Sequence, residues 1–384
     1  MTDNDVTSSS LTGTRKRVLL ITKAFFPEIG PRSFRATELA IEFMRQGHEV
    51  TILLPANGYD YSLFLKQNSV YGNEIRMKSL GPLKFKDITI ERGSKWLFFK
   101  RAIRRLLHLL AEYPDIELMF KVFRIIKNEC GYDLMISIAT PHPVHWGTAL
   151  ARTKKNQISR TWVADCGDPY MGDRMDSFRK MFYFRYIEKW FCRKTDYISV
   201  PFEGAVEAYS SEFHDKIRII PQGFRLKDLK LPEYIKTSPI PRFAYTGTII
   251  PRKRDPSPLM EYLVKSDRDF EFVVFTGQAD LIDPFIKKLG KKLVVHSLIG
   301  RKELLKILSQ MDFLINLDNN IPFQLPSKLI DYAISNRPVL NIRDRNDLVL
   351  VDQFMDGDYS GKMNLKDPDY FDIESVTKKF LALA

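Results

Sequence analysis

The segment PSKLIDYAISNRPVL, from Pro326 to Leu340, opens a helix on a proline, a serine and a lysine, places an acid one turn on, and runs into an apolar strand. The first backbone N–H groups of a helix have no internal partner, and the aligned peptide dipoles leave partial positive charge there. An anion is therefore stabilised beside Ser327 and Lys328. Asp331 falls on about the same helical face as Lys328, where its carboxylate can accept hydrogen bonds from a diol. The same residues also serve as ordinary caps, since proline and serine start helices and the dipole favours an acid in the first turn.

A second cationic group sharpens the choice. The loop YTGTIIPRKRDP follows an apolar strand and sets Arg252, Lys253 and Arg254 just beyond Gly247. Three consecutive cations at the carboxyl end of a strand suit the neutralisation of a diphosphate. Further along the first half, the loop PEIGPRSFR joins Gly30, where the backbone can approach a ligand, to Arg32 and Arg35 at a helix start. These arginines fit half of a phosphate grip or a solvated surface equally. His142 and His145 in ATPHPVHW, and Asp165 and Asp168 in WVADCGDPY, also follow strands. A carboxylate or imidazole so placed can act as base, orienter or hydroxyl acceptor, and Asp168 with His142 is the expected catalytic pair; beside proline, either is also an ordinary turn or cap residue.

Parallel strands must position these loops. Apolar runs predict strands at Val18 to Thr22, Glu49 to Pro55, Leu134 to Ile138, Thr161 to Ala164, Tyr197 to Val200 and Ile217 to Ile220, with helical patterns between most of them. A second alternation predicts strands at Phe243 to Tyr245, Phe272 to Phe275, Leu293 to Val295, Phe313 to Leu317 and Val339 to Ile342. The expected class is α/β, with two Rossmann-like domains facing a central cleft. The expected division is a disordered tail at 1–14, a first domain at 15–225, a linker at 226–242, a second domain at 243–364, and a last helix within 365–384 packing back on the first domain.

Composition bounds the remaining readings. The chain has 384 residues, 44% of them hydrophobic, which is enough for two cored domains. Its three cysteines, Cys130, Cys166 and Cys192, show neither disulfide nor metal-type spacing, which suits a reducing, cytoplasmic setting. No dinucleotide fingerprint, P-loop, zinc-protease motif or nucleophile elbow occurs. The acid pairs Asp3-Asp5, Asp356-Asp358 and Asp367-Asp369 read as tail or turn residues, so no metal is expected. A net charge of +12 implies an anionic partner without choosing among nucleic acid, membrane and phosphorylated small molecule, although no nucleic-acid motif is visible.

The stretch GSKWLFFKRAIRRLLHLL adds one more feature. On a helix, Trp96, Phe99, Ile103, Leu106, Leu107 and Leu110 line one face, while Lys100, Arg101, Arg104, Arg105 and His108 lie towards the other. That is the pattern of a helix lying on an anionic bilayer, and also of a core-facing helix with a solvated basic side.

Taken in order, VLLITKAFFPEIGPRSFRATELAIEFMRQGHEVTIL, WVADCGDPY, IRIIPQGF, YTGTIIPRKR and PSKLIDYAISNRPVL resemble the retaining glycosyltransferases of the GT-B fold, especially family 4, over nearly the whole chain from Arg17 onward. The resemblance implies a nucleotide-diphosphate sugar donor on the second domain and an acceptor, near Arg32 and Arg35, on the first. It places the diphosphate on Arg252, Lys253 and Arg254, the first domain's glycine loop at Gly30, the helix start at Ser327, Lys328 and Leu329, and the ribose on Asp331. It further implies same-face transfer with retention and no metal cofactor. Two positions depart from the family: Phe323 stands where many members carry an acid eight positions before the ribose acid, and Asp331 replaces the usual glutamate. The expected function is sugar transfer to a lipid-linked or polysaccharide acceptor at the inner face of the cytoplasmic membrane. The alternatives are a nucleotide-sugar epimerase or hydrolase, and a non-catalytic basic protein binding membrane or nucleic acid.

Overall fold

Buried on both faces, a parallel strand needs an unbroken apolar run, and the computed structural model turns such runs into two sheets. It describes residues 14–69, 74–88, 97–172, 179–251, 253–318 and 328–384. The tail at 1–13, Trp96, Arg252, Phe323 and Ser327 lie outside the described residues. The first sheet contains β1 (Arg17–Ile21), β2 (Glu49–Leu54), β3 (Arg76–Ser79), β4 (Tyr132–Ala139), β5 (Ser159–Cys166), β6 (Tyr197–Val200) and β7 (Ile217–Ile219). Its order is β3-β2-β1-β4-β5-β6-β7, with every pairing parallel. The second contains β8 (Arg242–Thr246), β9 (Glu271–Phe275), β10 (Leu293–His296), β11 (Phe313–Leu317) and β12 (Val339–Ile342), in the order β10-β9-β8-β11-β12, again all parallel.

Helices cross between these strands. In the first half they are α1 (Pro31–Arg45), α2 (Ser62–Asn68), α3 (Leu97–Ala111), α4 (Glu117–Ile126), α5 (Pro143–Ala151) and α6 (Phe184–Lys194). In the second they are α7 (Ser257–Val264), α8 (Asp283–Leu289), α9 (Arg301–Leu308), α10 (Lys328–Ser335) and α11 (Leu350–Met355), followed by α12 (Ile373–Leu381). The two compact units are Met1–Phe224 with Ile373–Ala384, and Arg225–Asp372.

Strand alternation divides each sheet between two cores. In unit 1, Leu19 and Ile21 face a cluster with Trp146, Trp162 and Phe191, while Val18 and Leu20 face α1 and α12 through Leu39, Phe43, Val376 and Phe380. In unit 2, Phe243 stacks on Phe272 at 4.8 Å and on Phe313 at 4.6 Å between ring centroids, which ties β9, β8 and β11 on one face. The edge strand β3, RMKS, was not anticipated, because its side chains are half-buried or exposed and carry no apolar run.

The chain ends do not follow a simple two-part division. Residues 226–242, expected as a linker, belong to unit 2: Tyr234 donates to Asp312, and Gln310 donates to the carbonyls of Pro232 and Glu233. The last helix returns to unit 1, where Gly223 leaves room for Ile373. A Cβ there would come 2.5 Å from the Ile373 side chain.

Unit 1 also buries an acid that forms no ion pair among the described residues. Glu188 on α6 accepts from the Met171 N–H at 3.1 Å, and burial pushes its carboxyl up to about 7, against the opposing pull of that hydrogen bond, Arg185 and Lys189. Between the ordinary carboxylate range and about pH 7 the folded chain holds a proton that the unfolded chain has released. The contribution of Glu188 to stability therefore falls as pH rises through that window. Glu188→Gln should make the protein more stable than wild type by up to about 3 kcal/mol in urea unfolding near pH 8, with no difference near pH 4. Equal stabilities at the higher pH would discard this account.

Candidate functional site

Open α/β sheets collect ligands where neighbouring strands send their chains in opposite directions, at their carboxyl ends. In unit 2 that point lies between β8 and β11. Tyr332 on α10 spans it: its hydroxyl accepts from the Thr246 N–H and donates to the Ile315 carbonyl, both at 3.0 Å. The start of α10 is thereby held over the end of β8, where Gly247 takes a positive φ of 127° that a side chain would strain. The side chain of Lys328 lies beside this glycine; a Cβ on Gly247 would meet Lys328 Cδ at 3.6 Å.

Lys328 is buried, and its ammonium makes no hydrogen bond among the described residues. It sits 4.2 Å from the centre of the Tyr245 ring. Burial holds its pKa well below the usual lysine range; Arg254 adds repulsion, and Asp318 opposes the shift. The loop from Gly247 turns back on itself through paired backbone bonds between Ile250 and Arg254, at 2.8 and 3.1 Å, and the Arg254 Nε is buried without an acceptor among the described residues. Two basic groups in a desolvated corner, with no ion pair to either among the described residues, are an arrangement that an anion could complete. Lys253 lies in the same turn.

Of the other residues assigned to this site, Leu329 has its side chain in the core beside Ala244 and Tyr332, so only its backbone N–H can serve a ligand. Asp331 is not an open carboxylate. Arg301, at the start of α9, grips it at 2.6 Å through both Nε and Nη2. Burial raises the Asp331 pKa while Arg301 pulls it down. Sequence reasoning missed Arg301, because the strand β11 separates its helix from α10 along the chain and only sheet order brings the two helices side by side.

In unit 1 the strands part between β1 and β4. Arg35 was expected to meet an acceptor, but it is buried and structural. Its guanidinium donates to Asp165 at 2.8 and 3.1 Å, to the Ile220 carbonyl at 3.3 Å and to the Pro221 carbonyl. Burial would raise the pKa of Asp165, but Arg35, Arg32 and the 2.7 Å hydrogen bond from Ser199 hold it low. Arg32 is the arginine that remains near the surface. Its Nη1 is 3.5 Å from the Ala139 carbonyl, and its guanidinium occupies the space over Gly167, where a Cβ would lie 2.0 Å away. Gly30 has no neighbour that requires glycine.

The expected catalytic pair occupies two different environments. Asp168 is exposed, whereas His142 is buried at the start of α5, with its ring 4.5 Å from that of Tyr170 and its Nε2 without a hydrogen-bond partner among the described residues. Burial, followed by His145, Lys180 and Arg32, keeps His142 neutral. Its neighbours His145 and Cys166 complete a group of three possible metal ligands within 4.8 Å of one another, which the linear spacing of the cysteines did not suggest. Two of the three already serve a buried chain. Trp162 donates to Ser137 at 2.8 Å, Ser137 pairs with His145 Nδ1 at 2.8 Å, and His145 Nε2 meets Cys166 Sγ at 3.4 Å. Asp358 and Asp367 accept from backbone N–H groups two residues on, as turn residues do.

The helix α3 is amphipathic, but with its apolar residues outward: Phe98, Phe99, Leu106 and Leu110 are exposed. Arg101 and Arg104 are exposed as well, Lys100 and Arg105 are half-buried, and Arg104 pairs with Asp87.

Two substitutions test these placements. Lys328→Met should raise the thermal midpoint, because it removes a buried basic group with no hydrogen-bond partner among the described residues. It should also weaken nucleoside diphosphate binding roughly ten- to a hundredfold in calorimetry; a rise without a loss of affinity would place the anion elsewhere. Gly167→Ala should push the Arg32 guanidinium off its seat and cost catalytic efficiency about as much as Arg32→Ala while leaving the melting temperature nearly unchanged, since a flexible side-chain end can move. Full activity would show that this position of Arg32 is not used.

No protein-family model matches the chain, and no curated protein does. Solved structures do match. TarM superposes with a TM-score of 0.62 at 12% identity, covering 97% of this chain and 99% of its own. The HepE protein of Anabaena, solved with UDP and glucose, gives 0.56 at 12% identity, covering 96% and 99%. The lipopolysaccharide outer core galactosyltransferase WaaB gives 0.53 at 12% identity, covering 95% of each chain. At such identities the shared property is the architecture: two parallel Rossmann-like sheets of seven and five strands in the GT-B fold of these glycosyltransferases.

Proposed function

We propose that the protein is a glycosyltransferase that takes a sugar from a nucleotide-diphosphate donor seated on unit 2 and adds it, with retention, to a lipid-linked or polysaccharide acceptor recognised by unit 1. The observation that carries this reading is the buried ammonium of Lys328, which has no hydrogen-bond partner among the described residues and lies near Arg254 at the end of β8. The fold adds support, since HepE has been solved with UDP-glucose and a TarM mutant of S. aureus with UDP.

The chemistry asked of this chain is mainly electrostatic. As the bond from the anomeric carbon to the leaving phosphate oxygen breaks, negative charge grows on the diphosphate. Lys328, Arg254 and the first N–H groups of α10 stabilise it without reorganisation. The acceptor oxygen forms its bond on the same face, and its proton passes to the departing phosphate oxygen. Arg32, with neutral His142 behind it, orients the acceptor. In this reading the ribose meets the Asp331–Arg301 pair. No metal is needed for these steps.

Among the described residues no helix is long and apolar enough to cross a membrane. A cytoplasmic enzyme resting on the inner membrane face through Phe98, Phe99, Leu106 and Leu110, edged by Lys100 and Arg101, fits an acceptor anchored there.

A panel of nucleotide sugars, assayed with and without lipid-linked acceptors, tests the reading. Acceptor-dependent release of nucleoside diphosphate is expected with one donor, and the product should keep the donor's anomeric configuration by NMR. Free sugar without acceptor would make the protein a hydrolase, an altered nucleotide sugar an epimerase, and no reaction with any donor would remove the proposal.

A further inference from the structure

His142, His145 and Cys166 meet at the carboxyl ends of β4 and β5, and one nitrogen or sulfur atom from each lies within 4.8 Å of the others. The two histidines are three residues apart at the start of α5, a spacing that puts both rings on one side of the helix. Those rings meet edge to face, with 5.6 Å between centroids. Cys166 closes the group from the last position of β5, and all three side chains are buried.

A hydrogen bond between His145 and Cys166 accounts for only part of this arrangement. It uses the His145 Nε2 and the thiol, and it leaves unexplained His142, whose buried Nε2 has no hydrogen-bond partner among the described residues. A metal ion accounts for all three side chains. In a tetrahedral zinc site with nitrogen at about 2.05 Å and sulfur at about 2.3 Å from the ion, the two ligand atoms stand roughly 3.5 Å apart. His145 Nε2 and Cys166 Sγ are already 3.4 Å apart. The other nitrogen of His145 pairs with Ser137 at 2.8 Å, and Ser137 accepts from Trp162 at 2.8 Å. Outer hydrogen bonds of this kind fix the orientation of a ligating imidazole. Burial keeps both imidazoles neutral, which is their ligating form.

We propose that His142, His145 and Cys166 form a zinc-binding site. Two imidazoles with a thiolate are a donor set for zinc rather than for magnesium or calcium, and three protein ligands leave the fourth position of the ion for water. On binding, the Cys166 S–H bond breaks and its proton passes to the buffer. The thiolate sulfur and the two imidazole nitrogens each give an electron pair to the ion, with side-chain rotation of His142 closing the remaining separation. The site takes no part in the transfer steps above and does not depend on the glycosyltransferase reading.

Cobalt(II), which enters zinc sites and reports its ligands by absorption, tests the assignment on the full chain carrying Cys130→Ser, a change that removes the exposed thiol. One equivalent should give the near-ultraviolet charge-transfer band of a thiolate–cobalt bond with the visible bands of tetrahedral coordination, and added zinc should remove both. Adding Cys166→Ser should abolish the charge-transfer band, and His142→Ala should weaken cobalt affinity at least about tenfold. Zinc should raise the thermal midpoint of the Cys130→Ser protein but not that of the double variant. The ligands are buried, so their replacement can also disturb folding. X-ray absorption at the zinc edge of the loaded Cys130→Ser protein therefore supplies a readout with all three in place: one sulfur and two imidazole nitrogens are expected in the inner shell. An inner shell without sulfur, a cobalt complex without the charge-transfer band, or a band that survives Cys166→Ser overturns the proposal.

Discussion

Two partings of strands, β1 from β4 and β8 from β11, are the constraint from which the functional geometry follows. A parallel sheet must return each chain over one of its faces, so where the returns change direction a crevice is left at the carboxyl ends. In unit 2 the crevice is held by a single phenol, Tyr332, bonded to the backbones of β8 and β11 at once. In unit 1 a buried guanidinium, Arg35, binds Asp165 on β5 and the carbonyls just past β7. Both interactions satisfy backbone or side-chain polar groups that would otherwise be stranded in the core.

The two arginine and lysine sites differ in a way that separates structure from function. The charge of Arg35 is met by Asp165, and its remaining donors by carbonyls, so its burial is complete and leaves nothing for a ligand. Lys328 is also buried, with the Tyr245 and Tyr332 rings near its ammonium and no hydrogen-bond partner for it among the described residues. Retaining an uncompensated cation beside a second one is costly, and it is the arrangement expected where the missing counter-charge arrives with a substrate.

Sequence reasoning succeeded where a pattern is local. The apolar runs that mark β1, β2, β4, β8 and β11 are visible because a strand covered on both faces has to be apolar throughout. The edge strand β3 has no such pattern. The cationic loop ending at Arg254 and the helix opening at Lys328 were legible as a charged strand-end loop and a helix start, since charge and helix polarity are written into a few adjacent residues. What could not be seen was the state of each group. Asp331 looked like an open carboxylate until Arg301 was brought to it from another helix, and Arg35 looked equivalent to Arg32 although one is buried and the other lies over Gly167. The basic face of α3 likewise looked like a membrane-facing surface, and its neighbours across a cavity, Lys23 and Asp115, come from segments remote in the chain.

By itself the sequence determined two α/β halves, the strands at their centres and the cationic loops at strand ends, because periodicity and helix termini depend on neighbours a few residues apart. Only the tertiary structure decided which charges are spent. Solvation and pairing depend on residues that meet from distant parts of the chain, and so does the burial that leaves Lys328 without a hydrogen-bond partner among the described residues while giving one to Arg35 and one to Asp331.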